Sequence, residues 1–407
     1  DLRMSRGLGD VYKRQVFMIP AMLICIYDKE TKVALSFLAT IGISIVLAGI
    51  LYLFSRNPSN GFHPREGLVC ASACWILISL VGCLPFFISR QIPSFIDALF
   101  EIVSGFTTTG ASILSDVESL SRGLLYWRSF SHWLGGMGVL VLLMVFVPKS
   151  DHNSGSTMHL LRAESPGPNV GKLVPRMKKT ALVLYGIYMA MTILNFLFLF
   201  IGGMPLFDSV CTTFGTAGTG GFGIKSDSMA SYSPYLQNVT TIFMLLFGIN
   251  FSCYYLILTK HLLSVWRDEE LRAYLSVFVV STALITLNIY HIYSSVTTGL
   301  RHAAFQVSTV MTTTGFATTD FDKWPVFSKQ LLLCLMFVGA SAGSTAGGLK
   351  FQRLLLLLKN LRRHIHRTLY PNKVQVVRMN GQKVSEKILD GTCLLYTSPS
   401  PRDMRRS

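Results

Sequence analysis

The 407 residues are half hydrophobic and only 14% charged, with a mean hydropathy of +0.45. A soluble protein would carry about a quarter charged residues, so a soluble globular enzyme or binding module is excluded. The formal net charge of +16 raises nucleic-acid binding, but the basic residues gather in alternate loops between apolar runs, which excludes that too and leaves an all-α polytopic membrane protein.

In chain order, residues 1–15 are polar and the apolar run 16–26 is too short for a bilayer, which needs about 20 residues; it reads as a clipped helix. Uncharged runs of spanning length follow at 33–54, 68–89, 181–207 and 239–259, with weaker or interrupted ones at 134–148, 273–290 and 331–349. Between them lie three segments too short to cross, at about 93–105, 205–214 and 298–310. The abrupt change at Leu394-Leu395-Tyr396-Thr397-Ser398-Pro399, like the polar opening, reads as adapter or vector sequence, so 1–15 and 391–407 are set aside.

Basic residues cluster at Arg56 and Arg65, from Lys149 to Lys179, at Lys260, Arg267 and Arg272, and from Lys350 to Arg378. Positive loops mark the cytoplasmic side. The intervening loops carry Asp97, Glu101, Asp116, Glu118, Asp208, Asp227, Asp320 and Asp322. These acids either form an outer vestibule that concentrates cations or belong to charges that merely orient the helices. The eight cysteines are scattered without a CxxC pair, so no disulfide framework is indicated. Cys70 and Cys74 lie one turn apart without further ligands. His132, beside Trp133, reads as an interfacial anchor rather than a ligand.

Each short segment is followed by a Thr/Gly loop: Gly105-Phe106-Thr107-Thr108-Thr109-Gly110, Gly218-Thr219-Gly220-Gly221-Phe222 and Met311-Thr312-Thr313-Thr314-Gly315-Phe316. The last glycines are spaced 111 and 94 residues apart, and Asp97 precedes Gly110 at the offset by which Asp208 precedes Gly221. The repeat reads as spanning helix, re-entrant half-helix, loop, spanning helix. Irregular backbone at membrane depth survives only where protein or a water-filled cavity covers it. A half-helix aims the negative end of its dipole inward, favouring a cation. Glycine turns carbonyls toward an axis at little steric cost, threonine adds a stiff side chain, and together such oxygens can replace a potassium ion's hydration shell.

These loops resemble those of the Trk/Ktr/HKT superfamily of cation transporters, and most closely its bacterial potassium-uptake membrane subunits. Ser131-His132-Trp133-Leu134-Gly135-Gly136-Met137-Gly138, Leu161-Arg162-Ala163-Glu164-Ser165-Pro166-Gly167-Pro168, Val265-Trp266-Arg267-Asp268 and the segment from Gly339 to Lys350 extend the resemblance over roughly residues 16–390. It implies ion-coordinating carbonyls from Thr108, Thr109 and Gly110, from Thr219, Gly220 and Gly221, and from Thr313, Thr314 and Gly315. The register of the second repeat, which departs from the Thr-rich pattern, is the least defined. It also implies a homodimer in a bacterial inner membrane and a cytoplasmic nucleotide-binding (NAD or ATP) regulatory partner docked on the basic loops and tail, while the positive loops turn the filter side outward. No nucleotide site or cofactor motif is visible, and the resemblance, with the filter glycines, favours potassium as the permeant ion. The family carries four repeats around a pseudo-fourfold pore; a fourth glycine would fall near or beyond residue 409, so a C-terminal truncation is expected.

The expected organisation is N-terminal helices over 16–60, pore repeats over 61–150, 151–262 and 263–360, and a basic tail over 361–390. The glycine-rich break at 339–348 has competing readings. Gly339-Ala340-Ser341-Ala342-Gly343 matches GxSxG, which would make Ser341 the nucleophile of an intramembrane serine hydrolase, but the strand-turn-helix context and a placed His are missing. A phosphate loop fails because Leu349 precedes Lys350. A small-residue packing surface is a third possibility. The family resemblance implies a gate under the filter, built from Gly339, Ser341, Gly343, Ser344, Thr345, Gly347 and Gly348, with Lys350 acting electrostatically or snorkelling. Gly7-Leu8-Gly9-Asp10 matches a GxGD protease motif but has no second intramembrane Asp.

Overall fold

The computed structural model describes residues 17–54, 64–136, 138, 177–370, 376–384 and 389. The expected non-native ends, most of the weak span at 134–148 and the Leu161–Pro168 motif lie outside the described residues.

Helix α1 (Ile19–Tyr27) packs against α2 (Thr31–Phe54), the first full span. The first repeat follows as α3 (Pro64–Gly82), the short α4 (Leu84–Ile88), the half-helix α5 (Phe95–Phe106) and α6 (Arg122–Gly136). The second comprises α7 (Met177–Ile201), half-helix α8 (Leu206–Ala217) and a bent pair, α9 (Pro234–Phe247) and α10 (Phe251–Leu258). After α11 (Leu262–Trp266) the third repeat runs through α12 (Glu269–Ile289), half-helix α13 (Val296–Met311) and α14 (Val326–Val338). Helix α15 (Phe351–Leu369) and a hairpin, β1 (Arg378–Met379) with β2 (Gln382–Lys383), come last.

Local chemistry starts these helices where they are needed. The Ser94 hydroxyl accepts from the Asp97 amide at the head of α5, and Asp97 and Asp208 sit in the first turns of α5 and α8, where a carboxylate complements the helix dipole. Asp268 caps α12 by accepting from the Leu271 amide at 2.8 Å. On α2, Leu35, Ile45 and Val46 are more than 60% exposed, the inverse of a soluble helix and the surface a lipid solvent favours.

Each later half-helix lies between two repeats. Helix α8 packs on α7 of its own repeat and on α6 of the one before; α13 packs on α12 and α14 and on α9. The repeats are thereby laid side by side in sequence order with their half-helices inside.

The run 239–259, which reads as one clean span, is a correction: it breaks at Gly248-Ile249-Asn250, and α9 and α10 differ in direction by 89°. The break occurs because the freed backbone groups find partners across the molecule. The Gly248 carbonyl accepts from the Ser341 amide at 3.0 Å, and the Phe251 amide donates to the Gly343 carbonyl at 3.0 Å. Asn250 restarts the helix by accepting from the Ser252 amide at 2.9 Å.

Candidate functional site

The three Thr/Gly loops have the same backbone. Each half-helix closes with the paired hydrogen bonds of a Schellman cap: Thr108 N–H to the Gly105 carbonyl and Thr109 N–H to Ser104, Thr219 to Thr216 and Gly220 to Gly215, Thr313 to Val310 and Thr314 to Thr309, all between 2.8 and 3.1 Å. That cap needs a left-handed residue, normally glycine, yet here it is threonine each time, with φ of 54°, 52° and 55° at Thr108, Thr219 and Thr313. A β-branched residue there is a genuine outlier, costing about 1–3 kcal/mol each. Two residues on, Gly110, Gly221 and Gly315 are again left-handed, at 75°, 75° and 97°.

These loops come together. A Cβ placed on Gly110 would collide with the Gly220 carbonyl oxygen and lie 3.7 Å from that of Thr314, and one on Gly221 would collide with the Thr314 carbonyl oxygen. First, second and third loops therefore adjoin in chain order, with the carbonyls of Gly220 and Thr314 at the contacts. At Gly315 nothing among the described residues lies within 4 Å of such a Cβ.

A buried frame holds the loops. Glu101 on α5 is fully buried and pairs with Arg128 on α6, Nε to Oε1 at 2.5 Å. Glu101 also accepts from the Ser112 hydroxyl at 2.9 Å and the Ile113 amide at 3.1 Å on the segment leaving the first loop. Arg128 donates to the Gly223 carbonyl at 2.9 Å and lies 3.5 Å from the Phe222 ring centre, so one ion pair joins the first loop to the second. Glu101 is thus not part of an acidic vestibule, contrary to the sequence expectation: burial with a paired guanidinium makes it a brace.

His132 is a second correction. It is fully buried, not an interfacial anchor: its ring stacks on Phe222 with centroids 4.1 Å apart and fills the space beside Gly220. The Phe222 amide points at its Nδ1 from 3.5 Å. The signal for Glu101 was present in the repeat alignment. Glu101, Thr212 and Gln306 each stand nine residues before the loop glycine, polar and buried alike. His132 and Arg128 carry no comparable signal, because the Phe222 ring, Gly220 and Gly223 that they contact come from the second repeat.

The glycine-rich break is a loop pinched at its neck. A Cβ on Gly348 would lie 2.5 Å from the Gly339 Cα, and both residues, with Gly343, have φ between 71° and 83°. The Phe351 amide donates to the Ala340 carbonyl at 2.8 Å, closing the neck. Within it, Ser344 donates to the Ser341 carbonyl at 2.7 Å, and Thr345 to the Phe247 carbonyl at 3.3 Å. Lys350 folds back, its Nζ donating to the Ala346 carbonyl at 2.5 Å and the Ser344 carbonyl at 3.4 Å. Buried Glu270 on α12 accepts from the Ala342 amide at 2.6 Å. The Gly347 amide donates to the Thr313 hydroxyl at 2.7 Å, so this loop touches the third Thr/Gly loop. Ser341 Oγ is buried without a hydrogen-bond partner among the described residues, so no base is aligned on it.

A family model described as a cation transport protein, TrkH, matches residues 34–392. The chain is 36% identical over 390 residues to the Trk system potassium uptake protein TrkH of Salmonella typhimurium, covering 94% of this chain and 80% of that one. It is 35% identical over the same length and shares to the protein of that name from Escherichia coli K12. The crystal structure of the potassium transporter TrkH from Vibrio parahaemolyticus superposes with a TM-score of 0.84 at 28% identity, covering 96% of this chain and 81% of that one.

Proposed function

This chain belongs to the TrkH family of cation transport proteins, and from that premise we propose that it is a membrane subunit that passes potassium ions along the axis where its three Thr/Gly loops meet. It is a transporter and not an enzyme; the hydrolase reading of Ser341 is not favoured. One observation carries the site assignment: the carbonyls of Gly220 and Thr314 lie against Gly110 and Gly221, in loops of one repeated conformation.

Residues with φ of alternating sign, as in Thr108-Thr109-Gly110, Thr219-Gly220-Gly221 and Thr313-Thr314-Gly315, turn successive carbonyls to one side. In this reading those oxygens replace the hydration shell of the ion, and the half-helix C-termini add partial negative charge. The frame of Glu101, Arg128 and His132 keeps the ring from collapsing. Selection for potassium is then a property of a rigid backbone, not of side-chain ligands.

The segment from Gly339 to Gly348 is the gate in this proposal. It contacts Thr313 at the base of the third loop and is held by Glu270 and by the break in α9–α10. Small residues and paired backbone groups let it occupy a pore without bulky side chains to move. Lys350, turned toward the carbonyls of Ala346 and Ser344, adds a positive charge against cation passage.

The basic loops support a reading in which the gate side faces the cytoplasm of an inner-membrane protein and the Thr/Gly loops open outward. A homodimer, and a nucleotide-binding regulatory subunit docked on the basic face, complete the proposed assembly.

Growth of a bacterial strain lacking potassium uptake, at limiting potassium, tests the whole reading. Rescue is expected from the gene and not from its Gly110→Ser variant, while Ser341→Ala rescues normally. Rescue by Gly110→Ser, or its loss in Ser341→Ala alone, would refute it.

A further inference from the structure

Helix α15 leaves the pinched loop with two unlike surfaces. Leu358, Leu361, Ile365 and Leu369 recur at three- and four-residue spacing and are each more than half exposed. About a quarter turn round the helix, Lys359, Arg362, Arg363 and His366 join Arg378 of the hairpin around a pocket of about 290 Å³. Two valines complete the lining, and among the described residues the one carboxylate paired with it is Glu269, on Lys359. On its far side α15 is packed, through buried Leu356 against Val377, Met379 and Leu389.

We infer that this pocket binds the phosphate headgroup of an anionic phospholipid of the cytoplasmic leaflet, with the acyl chains lying along the Leu358–Leu369 stripe. The chemistry selects a lipid over a free anion or an acidic protein surface because the cationic cup and the bare apolar stripe lie side by side on one helix. Basic residues flanking an apolar stripe are what an interfacial helix needs, and anionic leaflets attract such clusters. The pocket is also prebuilt. Lys359 is held by Glu269 and donates to the Arg378 carbonyl at 2.8 Å. Asn380 in the hairpin turn donates to Asp268 at 2.7 Å and accepts from the Glu269 amide at 2.9 Å. The arginines therefore converge on a fixed frame, one residue from the Glu270 that holds the pinched loop.

The inference rests on the membrane orientation proposed above. Its test is native mass spectrometry of the full chain released from nanodiscs containing phosphatidylglycerol and phosphatidylcholine, with potassium flux measured in parallel. Phosphatidylglycerol is expected to be retained preferentially, and Arg362→Gln with Arg378→Gln to lower that retention roughly tenfold. Arg362→Lys with Arg378→Lys is expected to keep most of it at an unchanged unfolding temperature, which separates charge from folding. Leu361→Gln with Ile365→Gln is expected to weaken retention as well. Equal retention of both lipids, full retention in the glutamine variant, or displacement by inorganic phosphate alone would overturn the site. So would protection of the arginines only by an acidic protein partner. Loss of flux with retention intact would count against the transport reading and leave this one standing.

Discussion

The Thr313 hydroxyl accepts a hydrogen bond from the Gly347 amide at 2.7 Å, so the base of the third Thr/Gly loop rests directly on the glycine-rich loop. Thr313→Val keeps the β-branched shape and removes the acceptor. Losing a hydrogen bond at this exposed amide costs about 0.5–1.5 kcal/mol, and that cost falls on the closed arrangement. Several-fold faster potassium flux into proteoliposomes is expected, with little change in unfolding temperature. Flux equal to wild type would show that this contact does not hold the gate.

Deleting residues 340–346 should raise flux further, since it removes the loop with its tethers to Gly248, Phe251 and Glu270. Glu270→Ala, which keeps the loop but removes the carboxylate that accepts from the Ala342 and Gln352 amides, should fall between deletion and wild type. Unchanged flux in the deletion would remove the gating role altogether.

The loop glycines should divide by what surrounds them. At Gly110 and Gly221 a methyl group meets a carbonyl oxygen of the next loop, whereas at Gly315 it meets open space among the described residues. Gly110→Ala and Gly221→Ala are therefore expected to lower both the unfolding temperature and potassium uptake. Gly315→Ser should fold nearly as wild type, apart from the cost of a left-handed serine, and instead weaken the preference for potassium over sodium. Paired thermal unfolding and ion-competition uptake measurements separate the two outcomes. Identical behaviour of all three would contradict the packed arrangement.

Glu101 and Arg128 form a pair shielded from solvent. Removing one partner from such a pair costs about 3–5 kcal/mol, because the other charge is left buried alone. Glu101→Ala and Arg128→Met are each expected to lower the unfolding temperature sharply, and the double variant to lose less than the sum. Additive losses would mean that the two side chains act independently.

The membrane class, the three re-entrant segments and the breaking point after Val338 were legible in the sequence, because each depends on near neighbours. Apolar length, half-helix length and runs of glycine and threonine are local properties that the bilayer and the backbone impose directly. Even the repeat was readable, as an offset between Asp97 and Gly110 that recurs at Asp208 and Gly221. What only the tertiary structure decided is how distant parts satisfy one another. The break at Gly248–Asn250 was invisible in an unbroken apolar run because its partners, Ser341 and Gly343, lie some 90 residues away. Glu101 read as a surface acid and His132 as an anchor, since the guanidinium that neutralises one and the glycine that the other buttresses come from neighbouring helices and loops. Burial reverses what a charged or polar side chain does, and burial here is set by the packing of one repeat against the next.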